Sequence, residues 1–197
     1  MTEKRRVRVD APGGRELSVP HVRNAPTGAT ESTADEPPPE RCACPRLDAH
    51  EWHEVESDWS DITFLKTSIG AAMGVPIGYG AARERLEKKA REAGAKIPED
   101  AMALLGEGRV RRPLLLEVEA VPAGARDIER PGGIAYSHLV PASLGQMKRL
   151  TEETRAAAMA RYGKQPDDTW VWYLTCRVCS AERDYETLII AHYRKRP

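Results

Sequence analysis

The sequence predicts an α+β domain built from two strand–helix–strand–strand units, residues 62–121 and 132–193. The units join into one curved, mostly antiparallel sheet with two helices on one face. Three observations lead there. Short stretches rich in aliphatic, aromatic and β-branched residues, bounded by Gly and Pro, read as strands. Two longer charged stretches carry apolar residues at spacings of three and four, which puts one apolar stripe on each helix. The order of elements then repeats over nearly equal lengths, as in a duplicated domain whose halves share pattern rather than sequence.

The elements follow in order. Residues 1–40 are dominated by Pro, Gly, Ser, Thr and charges, include "EPPPE", and hold no 3.6-residue period, so they are expected to form a disordered tail. Within them only "RVRVD" alternates. Residues 41–61 form a cysteine-containing extension expected to pack on the domain. "DITFLKTSI" (61–69) alternates around Phe64 as a strand, and "GAAMGVPIGYG" is a Gly-punctuated loop. "GAARERLEKKAREAGA" is a helix with Tyr79, Ala82, Leu86, Ala90 and Ala93 on its apolar stripe and Gly94 past its end. "AMALLGE" and "RRPLLLEVEAVP" are strands, the second closed by Pro122.

In the second unit "GGIAYSHLV" is a strand. "PASLGQMKRLTEETRAAAMARYG" is a helix with Pro141 near its first turn, Ser143 as N-cap and Gly163 as terminator. Its stripe is expected to be Leu144, Met147, Thr151, Thr154, Ala158 and Tyr162. "TWVWYLTC" and "YETLIIAHY" complete the unit. Each unit has one helix to cover one sheet face and is too small to bury a sufficient core alone. Joined, they leave the other face as a concave, aromatic-lined cleft, the expected ligand site.

The 30 basic and 30 acidic residues give a formal net charge of zero, so no global field draws in nucleic acid or an anionic membrane. The N-terminus lacks the apolar stretch of a secretory signal. The most apolar windows fall short of the roughly 20 residues a membrane-spanning helix needs. A cytoplasmic location is expected, where paired cysteines signal metal or redox chemistry more often than disulfides.

The chain has four cysteines. Cys176-x-x-Cys179 lies where a strand leads into a turn, the arrangement by which a zinc knuckle aims two sulfurs at one point. Cys42-x-Cys44 needs a tight turn to converge, which Pro45 and the lack of regular structure nearby permit. Closing the long loop between the pairs costs about 4 kcal/mol of chain entropy, whereas a structural zinc site contributes on the order of 10 kcal/mol or more. Cys42, Cys44, Cys176 and Cys179 are therefore candidate ligands of a structural zinc, a clasp pinning the extension to the second unit. His50 and His53 in "DAHEWHEV" are substitutes should Cys42 face away. Ordinary buried thiols, or a reversible dithiol, are the alternatives.

For a ligand, Trp170 and Trp172 offer an apolar wall, with Tyr173 on the same strand and Tyr136 on the matching strand able to supply hydroxyls. Glu117 and Glu119 share one face of a first-unit strand. Either carboxylate, desolvated in the cleft, could act as a general base on water, though a solvent-facing role is the plainer one. His138 and His192 are expected to be hydrogen-bonded structural histidines. No Ser-His-Asp spacing, phosphate-cradling glycine loop or HExxH motif is present.

The order of elements over about 62–193 resembles the GyrI-like small-molecule-binding domain, which also serves as the effector-binding half of certain transcription regulators. Cys44, Pro45, Asp48 and Trp52, with Thr175, Cys176 and Cys179, are similar to a "CP…D…W" and Thr-Cys-x-x-Cys pattern in a bacterial subgroup of that superfamily, and Val75-Pro76 fits as well. In place of the Gly-Pro-Tyr often found where the second strand meets its helix, this chain has "HLVPAS". The acidic residue used against cationic ligands has no counterpart on Trp170 to Cys176. The resemblance implies binding of an apolar or cationic small molecule. It permits a hydrolase of a reactive electrophile, since some such relatives are hydrolases. A protein-interaction module, with metal and sheet presenting the surface, is the third expectation.

Overall fold

The structure, a computed structural model, describes residues 42, 44–121 and 127–194. Expectations for the tail, for Pro122 and for the Leu144 side chain fall outside the described residues. The fold is α+β, an open, curved, antiparallel sheet carrying helices. In chain order come α1 (Ala49–Trp52), β1 (Val55–Asp58), β2 (Thr63–Ala72), β3 (Val75–Pro76), α2 (Tyr79–Glu92), β4 (Ala103–Leu105), β5 (Arg111–Val118) and β6 (Ile128–Glu129). Then follow β7 (Ile134–Pro141), a short 3-10 turn (Leu144–Gln146), α3 (Met147–Tyr162), β8 (Asp168–Tyr173) and β9 (Glu186–Tyr193).

The strand order is β1-β7-β9-β8-β4-β5-β2-β3, with β6 attached to β2. In each half the first strand pairs with the third, and the third with the second. The second strands, β4 and β8, meet at the centre through the pair Leu105↔Val171.

Register fixes the two faces, since partners opposite one another share a face and the side-chain period is two. Tyr136↔Ala191, Thr169↔Ala191, Val171↔Ile189 and Leu105↔Val171 put these residues on one face. There α3 buries Leu150 against Val140 and Ile189, and Ala158 against Tyr136 and Ala191. Helix α2 stands on the same side. Tyr79 rests edge-on against Tyr173 at 5.3 Å, and its hydroxyl donates to the Ala103 carbonyl at 3.0 Å.

The opposite face is the expected open cleft, and here the structure departs from the expectation. The extension lies across it. Trp52 meets Trp172 edge-on at 6.0 Å, and Trp59 packs against Phe64 and stacks on His192 at 4.8 Å. Both faces of the sheet are therefore buried, and two of the four tryptophans reach the core from outside the duplicated units. The extension also adds β1 as an edge strand on β7, in register Val55↔Ser137. Asp48 accepts from the His50 N–H at 2.8 Å to start α1, which aims Trp52 inward.

Two local expectations change. The loop at 70–80 is a β2–β3 hairpin whose turn residues, Met73 and Gly74, both take positive φ (49° and 85°), as tight hairpin turns require. Ser143 does not cap α3. The 3-10 turn follows it, Gln146 occupies the N-cap, and Leu150 is buried where Thr151 was expected, while Met147, Thr154, Ala158 and Tyr162 pack as expected. Gly163, at φ 68°, ends the helix as expected.

Candidate functional site

The fold brings the four thiols together. Cys42 and Cys44 come from the extension, while Cys176 and Cys179 lie in the turns between β8 and β9, and all four sulfurs sit within 4.8 Å of one another. All four are free thiols. Cys176 Sγ is 4.0 Å from Cys179 Sγ, and the Cys176 N–H points at the Cys179 sulfur at 3.4 Å. Arg183 ties the knuckle to the extension by donating to the carbonyls of Pro45 at 2.8 Å and Leu174 at 3.2 Å, and it also pairs with Glu186.

The sulfurs of the cluster sit in unlike environments. Backbone N–H groups of Cys179 and Val178 aimed at the Cys176 sulfur bring its pKa down to about 6. Burial, and then the neighbouring sulfurs, push Cys44 up to about 12. Four thiols this close cannot all ionise beside one another, and a cation at their centre removes the conflict. The cluster can hold a metal. With four sulfur ligands it leaves no open position, so it suits a structural role. His50 and His53 are not part of it.

The expected ligand residues do not line one cleft. Trp170 and Trp172 lie on the face covered by the extension, 3% and 0% exposed. Tyr173, one residue on, and Tyr136 lie on the helix face, as the alternation of β8 and the Tyr136↔Ala191 pair require. Both indole N–H groups, Trp170 Nε1 and Trp172 Nε1, are buried without a hydrogen-bond partner. The candidate carboxylates are engaged otherwise. Glu117 is buried and accepts from the Met102 N–H at 3.0 Å, and Glu119 forms an ion pair with Lys96. His192 behaves as a structural histidine, fully buried, with Nε2 2.7 Å from the Gly132 carbonyl and Nδ1 3.4 Å from Asp168.

A second cluster is formed by His53, Glu54 and His138, whose potential ligand atoms also lie within 4.8 Å of one another. The strand pair β1–β7 creates it, because one step beyond Val55↔Ser137 brings Glu54 opposite His138. The two imidazoles stack at 4.6 Å. Burial, and then the neighbouring His53, lower the pKa of His138, which favours the neutral ring. Glu54 takes φ 58°, a left-handed conformation unusual for a residue with a Cβ. The sequence held a partial signal for this cluster in "HEWHEV", but the approach of His138 follows from strand register, which spacing along the chain does not reveal.

Among known proteins, a family model described as a bacterial hydrolase matches residues 34–192. No curated protein and no solved structure matches the chain. The matched span contains the extension, both halves of the sheet and both side-chain clusters, and on that coverage the chain belongs to the bacterial hydrolase family.

Proposed function

We propose that this chain is a hydrolase acting on a small organic molecule, on a scaffold locked by a structural zinc ion at Cys42, Cys44, Cys176 and Cys179. The observation that carries the hydrolase reading is the family match across residues 34–192. The zinc assignment rests on four thiols within 4.8 Å, a set that favours a tetrahedral, thiophilic ion. A closed thiolate site has no place for substrate or water, so hydrolysis belongs elsewhere in the domain. Glu117 holds a backbone N–H in the core and Glu119 pairs with Lys96, contacts that count against either as the general base.

The test has two arms. Protein purified under reducing conditions without chelator is expected to carry zinc at the thiols, and Cys176→Ser to lose it; a wild type without zinc overturns the clasp. Turnover of a panel of chromogenic esters, lactones, amides and phosphoesters checks the activity, and no turnover across the panel argues against a hydrolase.

A second reading, small-molecule binding of the GyrI-like kind, draws support from the two unpartnered indole N–H groups on the covered face. A buried donor without a partner costs about 1–3 kcal/mol, and a polar ligand or water against Trp170 and Trp172 would recover it. Thermal-shift screening with apolar and cationic compounds separates this reading from an interaction module, for which none would shift the melting temperature.

A further inference from the structure

We propose that His53, Glu54 and His138 form a second metal site, open where the thiol cluster is closed, that takes zinc or another late first-row divalent cation and keeps room for water. Metal binding here stands independently of the hydrolase reading; only the use of the bound water rests on it.

The donor set comes first. Two imidazoles and one carboxylate suit late first-row divalent ions better than calcium or magnesium, which prefer all-oxygen cages. Three protein ligands with a vacancy is the composition of catalytic rather than structural zinc sites. The ligand atoms lie within 4.8 Å of one another, and a tetrahedral ion needs them roughly 3.4 Å apart at ordinary bond lengths. Small side-chain rotations close that gap, and the Glu54 side chain is exposed.

Tautomers carry the argument further. His53 Nδ1 lies 2.8 Å from the Leu139 carbonyl, which can only accept, so Nδ1 bears the proton and Nε2 is left with a bare lone pair. His138 Nδ1 lies 3.2 Å from Thr154 Oγ1. The Thr154 hydroxyl already donates its single proton to the Leu150 carbonyl at 2.9 Å, so it accepts from His138, whose Nε2 is likewise bare. Each ring is thus held by an oxygen acceptor on one nitrogen with the other left bare, and one ring nitrogen of each lies within 4.8 Å of the other and of a Glu54 carboxylate oxygen. Metal-bound histidines are oriented in this way by their outer partners. The plain alternative is an ion pair of His138 with Glu54. The 3.8 Å from His138 Nε2 to Glu54 Oε1 is within ion-pair reach but beyond a hydrogen bond, so neither group is hydrogen-bonded by the other.

Glu54 supports the reading from the backbone. Its left-handed backbone, at φ 58°, is unfavourable for a residue with a Cβ, and such strain gathers where geometry serves a site. Beside the cluster, Tyr136 shares the sheet face of His138, with its ring 6.5 Å away. In a hydrolysis the metal-bound water releases a proton to solvent, and the hydroxide adds to the substrate's electrophilic carbon. The bond to the leaving group then breaks, the leaving group takes up a proton, and one water is consumed.

The experiment loads metal-free full-length chain with cobalt(II). Wild type is expected to bind two equivalents: one at the thiols, giving intense sulfur-to-cobalt charge-transfer bands, and one giving only weak ligand-field bands. His53→Ala and Glu54→Gln, both at exposed positions, are expected to keep the charge-transfer bands and bind the second equivalent at least tenfold more weakly. Thr154→Ser, which preserves the hydroxyl, keeps the second equivalent, while Thr154→Val weakens it. A wild type that saturates at one equivalent, or variants that still bind two as tightly, overturns the site. A second equivalent with no ester or amide turnover leaves the metal site standing and removes the hydrolase reading. Turnover unchanged in His53→Ala removes the use of the bound water in catalysis.

Discussion

At Glu54 the left-handed backbone and the carboxylate's position belong together, and the two can be separated by substitution. Left-handed geometry costs a residue with a Cβ about 1–2 kcal/mol, while glycine gives back about 0.5–1 kcal/mol through its greater freedom in the unfolded chain. Glu54→Gly is therefore expected to raise stability by about 0.5 kcal/mol in denaturant unfolding while removing the carboxylate. Asp168 offers a second test. Burial alone would raise its pKa, but hydrogen bonds from His192 and Arg194 outweigh burial and hold it at about 2 against an ordinary 3.8. Because the folded pKa is the lower one, the stabilisation is complete above about pH 4 and is lost as the pH falls towards 2. Asp168→Asn should lower stability at neutral pH and flatten the acid limb of the melting-temperature profile over that window.

At the scale of elements, α1 and β1 do what a loop could not. They carry Trp52 and Trp59 onto the sheet, and Trp59 is 1% exposed. Trp59→Ala is expected to cost about 3–5 kcal/mol, as large aromatic truncations in cores do, read by denaturant unfolding. The helices and long strands were legible from the sequence because their apolar periodicities are strong: Ala82, Leu86 and Ala90 are the buried stripe of α2, as the spacing of three and four requires. β1 was hidden because "VESD" has one apolar residue and earns its place only through β7. Along α3, Met147, Thr154, Ala158 and Tyr162 were legible in the same way, and Leu150 takes the place expected of Thr151. The thiol cluster was visible because Cys-x-x-Cys is a local pattern. The His53–Glu54–His138 cluster was not, because it is assembled by a strand pairing across most of the domain.

For the whole molecule, the halves meet along a narrow seam at β4 and β8, and Gly106 lies beside it. A Cβ there would sit 2.6 Å from the Pro113 ring and 2.7 Å from the Trp170 ring. Gly106→Ala is expected to cost about 1–3 kcal/mol, the usual penalty of overpacking, read by thermal or denaturant unfolding. The thiol cluster acts at the same scale, since it joins the extension to the last hairpin. Chelation should therefore free the extension to proteases at residues near 45–60 and change the near-ultraviolet circular dichroism of Trp52 and Trp59, while the ladder of β7, β9 and β8 stays protected in hydrogen exchange.

The clasp also orders events during biosynthesis. Cys42 and Cys44 leave the ribosome before either unit is made, and their partners, Cys176 and Cys179, follow only late in the second, just before its last strand. Until then the nascent chain carries Trp52 and Trp59 with no completed sheet to receive them, and two thiols without their counterparts. Were a metal to close the clasp, it could do so only after nearly all of the domain had been translated.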